Sequence, residues 1–495
     1  MRFLILALTA IGYLSFGIVE SDAARQRKQR GRAAATKKSG RKNGATKGSK
    51  SRSKSKGKGK GRSRGRSGSG SGSSGSFTVR ELTEIKQLRL DSGIVYYQYK
   101  TNGARPIIAH VVECNRKISG NAIRLIKGED HAAGLERLKD MSHRFDNLTN
   151  HVVYGMVNGN FWRAVSNVMV GPCVIDGEVV QMAGYKSWSS AFFDVNNAMK
   201  IDRFNLSGKV FIQGREMSIE SVNTREGNGV VLYNRYGGSV VPYLNQKQIE
   251  RAFQEAVRDS STDVNDSTEA ELTEDMLRAE ILKKKRERDN EFPMIKIRVR
   301  YLRTPSVNTT TACEVLGVDS GAVNMPIRGA IISLPKSALA GKVPKLRDTV
   351  KIRFETNVMN QTKFMNAVCG TPRLVRAGVA KSEAAKEGST GERFVSHALA
   401  RTGIGVSQDG EKLYIVAVPP DRSDAGTQGA SLQQMAQIMS LAGCYEAMNL
   451  DGGGSTGMTV RNDHVFYDGQ DPLTRKVGLG VAVVKLAKIL RTTGY

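Results

Sequence analysis

Apolar residues alternate with polar ones along much of the chain, in short runs separated by Gly, Asn and Asp. The runs at 93–100 (GIVYYQYK) and 106–114 (PIIAHVVEC) are rich in β-branched and aromatic residues, which suit a pleated, half-buried surface and predict strands. The spacing changes at 129–145 (EDHAAGLERLKDMSHRF), where apolar residues recur at helical intervals among charges and a helix is expected. Residues 151–162 (HVVYGMVNGNFW) read as a strand running into an Asn-Gly turn, and 171–182 (GPCVIDGEVVQM) as a hairpin around Asp176 and Gly177. Strand-like runs at 228–238 and 294–302 flank a heavily charged stretch, 245–290. Within it, 246–257 and 273–289 carry apolar residues at helical spacing and predict exposed helices, a surface insertion rather than a catalytic element.

Further on, 401–418 (RTGIGVSQDGEKLYIVAV) reads as two strands joined at Asp409 and Gly410. Residues 431–443 (SLQQMAQIMSLAG) form an amphipathic pattern with Ser431 as the N-cap, and 445–450 (YEAMNL) a strand. Runs of both periods imply an α+β fold: a mixed central β-sheet with flanking helices and an inserted β-rich region over residues 200–355.

The first residues change the picture of where such a domain works. Arg2, an apolar run from Phe3 to Val19, and small residues at Ser21 and Ala23 have the layout of a cleaved signal peptide over 1–23. A secreted or periplasmic, extracytoplasmic location follows. No later run reaches the roughly 18 apolar residues of a membrane span, so no transmembrane segment is expected in the mature chain. Residues 24–76 form a basic tail of Lys, Arg, Gly and Ser that cannot build a core and is expected to be disordered; 25–66 hold 19 Lys or Arg and no acidic residue, in a chain of net charge +28. The tail lacks aromatic residues for stacking bases and follows an export signal. Its expected partner is therefore an anionic cell-surface polymer rather than nucleic acid, with a solvated spacer as the plain alternative. Residues 77–495 are left as the folded domain.

Candidate chemistry is sparse. The five cysteines are far apart with no CxxC pair, and in an exported chain they could form up to two disulfides with one left over. The six histidines show no HExxH-type grouping, so no zinc site and no cofactor is called for. A hard cation held by Asp451 with Asn449 or Asp194 stays open as an alternative, although Asp194 in AFFDVNNAM reads better as a turn. One stretch stands out: AMNLDGGGSTGM, 447–458, with Asp451 at a strand end followed by Gly452, Gly453 and Gly454. Side-chain-free backbone N–H groups there could cradle an oxyanion, or the run could be a tight turn with an Asx bond. It lacks the Lys of a Walker A loop and is not GxGxxG.

Five pieces taken in order resemble the phosphodiester glycosidase domain family: VNGNFW at 157–162, GPCVIDGEVV at 171–180, GTPRLVRAGV at 370–379, ARTGIGVSQDGEKLYIVAV at 400–418 and LAGCYEAMNLDGGGSTGM at 441–458. The family's usual NGGFF reads NGNFW here, and its DGR reads Pro420-Asp421-Arg422. The resemblance implies a hydrolase that cleaves a sugar-1-phosphodiester; with the export signal, its expected substrate is a cell-surface or extracellular polysaccharide or glycoconjugate, and a non-catalytic module binding anionic polysaccharide is the alternative. It implies catalytic roles for Asp451, Asn158 and Arg401. Substrate contacts are implied for Gly159, Thr402, Arg422, Asn449, Gly452, Gly453, Gly454, Ser455, Thr456 and Arg475.

Overall fold

The computed structural model describes residues 77–149, 151–242, 274–357, 362–422, 424–465 and 475–486. The signal segment, the basic tail and the expected helix at 246–257 lie outside the described residues. Alternating runs dominate what is described, and a strand's apolar face is most cheaply buried against another strand's. An eight-stranded sheet runs in the order Leu82–Asp91, Ile94–Thr101, Ile108–Asn115, Lys412–Val418, Arg401–Val406, Glu446–Asn449, Arg373–Arg376, Val379–Ala380. A five-stranded sheet, Asp463–His464, Met458–Val460, Val152–Asn158, Leu479–Lys485, Asn121–Lys127, faces it. Ile94, Val112, Ile404 and Ile415 of the first sheet share one buried cluster with Ile123, Val157, Leu479 and Val481 of the second. Cys173, Ile175, Ala191 and Val368, from a second five-stranded sheet, complete that cluster.

Seven strands between Leu206 and Thr356 close into a barrel with its own core, including Val210, Leu232, Ile297, Val315, Ile332 and Ile352. Closure removes the exposed sheet edges that seven separate short strands would present. Helix Leu432–Leu441 covers the outer face of the large sheet through Leu432, Met435, Ala436, Ile438 and Met439. Its capping box, with Ser431 and Gln434 bonded reciprocally, forms as the sequence indicated. Helix Leu138–Thr149 packs Leu138 and Met141 on the second sheet.

The α+β expectation is thereby corrected. The described residues are mostly β, with 45% in strands and 15% in helices. The large sheet is antiparallel throughout rather than mixed. The physical reason is that most apolar runs alternate and are too short for helices. Even the helical pattern at 129–145 folds as a helix only from Leu138 onward. The disulfide expectation also falls: all five cysteines are buried free thiols. No helix among the described residues is long and apolar enough to cross a membrane.

Helix Glu274–Glu291 was expected as a surface element, and most of it carries charges to solvent. Its last residue does not. Glu291 is 2% exposed and pairs with buried Arg225 and, at 3.5 Å, with Lys296; it also accepts hydrogen bonds from Tyr233 Oη at 2.9 Å and from Ser333 Oγ. One carboxylate thus ties the helix to the barrel. Glu291→Ala leaves two buried cations without it and is expected to cost about 3–5 kcal/mol of stability, read as a lower urea midpoint at unchanged slope. An unchanged midpoint would show that the barrel does not depend on this network.

Candidate active site

The site grows out of a crossing between sheets. After strand Glu446–Asn449 the chain leaves the eight-stranded sheet, and by Met458–Val460 it has joined the five-stranded one. Residues 450–457 bridge the gap, and two of their glycines, Gly452 and Gly453, answer local backbone demands. A Cβ on Gly452 would lie 3.0 Å from the Ala400 carbonyl oxygen, and Gly453 adopts φ +58°, where an L side chain is strained.

Asn158, at the end of strand Val152–Asn158, ties the crossing together. Its Nδ2 donates to the Asp451 carbonyl at 2.7 Å, while its Oδ1 accepts from Thr402 Oγ1 at 2.7 Å and from the Gly457 N–H at 3.3 Å. The neighbouring backbone repeats the join: Asp451 N–H donates to Gly159 O, and Leu450 N–H to Thr402 O. Three pieces far apart in sequence, 158–159, 401–402 and 451–457, therefore meet at one 1%-exposed side chain.

Asp451 itself is buried at the edge of solvent access, 9% exposed, and its Oδ1 accepts from the Gly452 N–H at 2.9 Å. Of the three glycine N–H groups expected to cradle an oxyanion, Gly452's goes to this carboxylate and Gly453's to Ala400 O at 2.9 Å. Ser455 and Thr456 donate their N–H groups to Gly452 and Gly453 carbonyls, closing a 3-10 turn. The Asx-type bond and the tight turn read in the sequence are both present. Asn449 is fully buried, donating to Thr371 O at 2.7 Å and Leu450 O at 2.6 Å, and its Oδ1 has no hydrogen-bond partner.

The three arginines divide. Arg401 is 1% exposed; Nε donates to Ala430 O at 2.9 Å, Nη2 to Phe394 O at 2.6 Å, and the guanidinium lies over the Phe394 ring. It therefore holds the 394–397 turn against the strand. Arg475 lies over the Trp162 ring, 5.0 Å from its centroid, four residues in sequence from Asn158's own position. Arg422 pairs with Asp424 in its own exposed turn.

Sequence reasoning missed Glu387, which is fully buried and accepts from Ser189 Oγ at 2.6 Å, Thr371 Oγ1 at 2.9 Å and Arg373 N–H at 2.9 Å. It braces Thr371, whose carbonyl holds Asn449. No local motif announces a carboxylate whose partners are all distant in sequence. Trp188 was missed too, although it is one of only two tryptophans. Burial pushes the Cys173 and Cys369 thiols up to about 12, so neither is a thiolate nucleophile at neutral pH. Among the described residues no group of three or more His, Cys, Asp or Glu is placed to hold a metal ion. Asp194 spends Oδ1 on the N–H groups of Asn196 and Ala198, each at 2.8 Å, as a turn residue does.

Residues 309–484 match the phosphodiester glycosidase family. The resemblance seen in the sequence is thereby borne out over the pieces at 370–379, 400–418 and 441–458; those at 157–162 and 171–180 precede the matched residues. No curated protein matches the chain in sequence. Its fold is similar to that of a hypothetical protein from Synechocystis, at TM-score 0.54 and 16% identity over 82% of this chain, which spans 64% of that one. It is likewise similar to a candidate exported protein from Burkholderia pseudomallei K96243, at TM-score 0.53 and 15% identity over 82% of this chain and 97% of that one. The zebrafish N-acetylglucosamine-1-phosphodiester alpha-N-acetylglucosaminidase catalytic domain, auto-inhibited by its pro-peptide, aligns at TM-score 0.39 and 10% identity over 82% and 88% of the two chains.

The Asn158 tie yields a direct check. Asn158→Asp keeps the shape but removes the donor to Asp451 O and buries a charge, so about 2–4 kcal/mol of stability should be lost. Urea unfolding measures it, and a wild-type midpoint would mean that Asn158 does not hold the crossing.

Proposed function

We propose that the chain hydrolyses a glycosyl phosphodiester, releasing a sugar and leaving a phosphate monoester, outside the cytoplasm. The observation that carries this reading is the meeting of 158–159, 401–402 and 451–457 around Asn158, which puts Asp451 at the one place where the separated motif pieces converge. Water adds to the anomeric carbon as the bond from that carbon to the phosphate oxygen breaks, the electron pair leaving with the phosphate. The water's proton passes to solvent or to a nearby base. Positive charge grows on the sugar ring in this step, and the Asp451 carboxylate stabilises it or orients the water. Phosphate is a weakly basic leaving group, so little general-acid help is required and one carboxylate is enough.

In this reading Asn158, Thr402 and Arg401 act by position. Their polar atoms are engaged within the chain, so they set the Asp451 loop and its surroundings rather than touch the reacting atoms. Arg475, over Trp162, supports a role as cation for the phosphate. A second reading, a non-catalytic module for anionic polysaccharide, rests on the basic tail, since the Gly452 and Gly453 N–H groups are engaged by internal acceptors.

Asp451→Asn decides between them. The amide keeps an oxygen for the Gly452 N–H and therefore the turn, but it removes the charge. In a hydrolase kcat on a chromogenic glycosyl phosphodiester should fall roughly a hundredfold or more with thermal stability nearly unchanged. Full turnover in the variant would make Asp451 a structural residue, and no turnover in the parent would leave the binding module.

The basic tail is proposed to anchor the chain to an anionic polymer. Removal of residues 24–76 should lower the salt concentration that elutes the mature protein from heparin without changing its unfolding temperature. Equal elution of both forms would end the anchoring proposal.

A further inference from the structure

Four aromatic rings form a continuous string that starts three residues past Asn158. Phe161 meets Trp188 at 5.0 Å between centroids and Phe394 at 6.3 Å, and Trp188 meets Tyr185 at 4.8 Å. A second ring cluster in the same chain shows what an ordinary core does. Phe192, Phe204 and Phe364 lie 5.3–5.9 Å apart and are 2%, 6% and 0% exposed. The first string is different: Phe161, Trp188 and Phe394 are half-buried, Tyr185 is 36% exposed, and residues 183–187 are exposed throughout.

The string also carries unused hydrogen-bonding capacity. The Nε1 of Trp188, the Nε1 of neighbouring Trp162 and the Oδ1 of Asn160 are buried without hydrogen-bond partners. Asn160 is 2% exposed, and its Nδ2 already donates to Val170 O at 3.3 Å. Two idle donors and one idle acceptor beside half-exposed rings suit a ligand whose groups both donate and accept.

We propose that Phe161, Tyr185, Trp188 and Phe394 form a saccharide subsite beside the Asp451 loop, which takes a neutral sugar ring of an oligomeric or polymeric substrate. This rests on the glycosyl phosphodiester reading for its position but not for its chemistry. The C–H face of a sugar ring carries slight positive charge and lies against the negative face of an aromatic ring, while its edge hydroxyls answer polar atoms at the margin. Adjacent rings here are tilted by 58°, 77° and 69°, so no two form the parallel slot that a flat nucleobase would fill. Lys186 over Tyr185 places a cation at one end of the string, and Arg475 lies over Trp162, the residue after Phe161; charged groups of a phosphate-bearing polymer would fall there.

Because Trp162 and Trp188 are the chain's two tryptophans, its intrinsic fluorescence reports on this place directly. The mature protein is titrated with cellopentaose, maltopentaose and chitopentaose, each to about 10 mM. A saturable change in emission with at least one of them is expected, weakened about tenfold in Tyr185→Ala, an exposed position where both tryptophans are retained. Calorimetry on Trp188→Leu, with a melting curve to verify folding, should show the same loss. Absence of a response to all three sugars, equal affinity in Tyr185→Ala, or a response to an oligothymidylate alone would overturn the subsite. Parallel assay on a small chromogenic glycosyl phosphodiester keeps the two ideas apart. Turnover without pentasaccharide binding removes the subsite and leaves the hydrolase; binding without turnover removes the hydrolase and leaves the sugar surface.

Discussion

The amide of Asn158 is the constraint on which the rest of the site depends. Two sheets that share one core still need their edges aligned, and packing alone lets strands slide by small amounts. A buried side chain with one donor and one acceptor group, each matched to a different segment, removes that freedom, because any slip strands a polar atom without water. With Asn158 bonded to Asp451 O, Thr402 Oγ1 and Gly457 N–H, the strand ends of both sheets and the loop between them are set by one residue.

That tie also reassigns chemistry. Polar residues near the proposed catalytic carboxylate, Asp451, invite roles in the reaction, yet Asn158, Thr402 and Arg401 spend donors and acceptors on the scaffold. Glu387 extends the scaffold one layer outward by bracing Thr371, which holds Asn449 two residues before Asp451. Gly452 gives room for the crossing backbone, and Gly453 supplies a positive φ. What remains at the solvent edge is a carboxylate in a rigid turn, an arginine on a tryptophan, and half-exposed rings. This division leaves a satisfied interior and a polar, aromatic margin, which is consistent with the proposed saccharide site.

Charge is treated in the same way at the far end of the chain's core. Helix Glu274–Glu291 is highly charged, and a sequence of that kind reads as solvated. Its terminal carboxylate nonetheless meets two buried cations, a tyrosine and a serine, so desolvation is offset by a full set of partners. Ring clusters follow a parallel rule: the same phenylalanine side chain is core in one place and margin in another, and only its neighbours decide which.

The sequence by itself determined what depends on neighbours along the chain. The Asp176-Gly177 hairpin was legible because both residues tolerate positive φ, and they adopt +50° and +85°. The cap at Ser431, the strands at 401–418 and the tight turn with an Asx-type bond at 451–456 were legible for similar local reasons. Only the tertiary structure decided the rest. It made the chain mostly β rather than helix-flanked, because how strand faces are covered is settled by which other strands arrive. It kept five thiols free by burying them and carried Glu291 into the interior. It alone showed that Asn158's partners are Asp451, Thr402 and Gly457. Periodicity and turn chemistry act over a few residues, whereas hydrogen bonds across 244 to 299 positions are created by topology, and no local pattern encodes them.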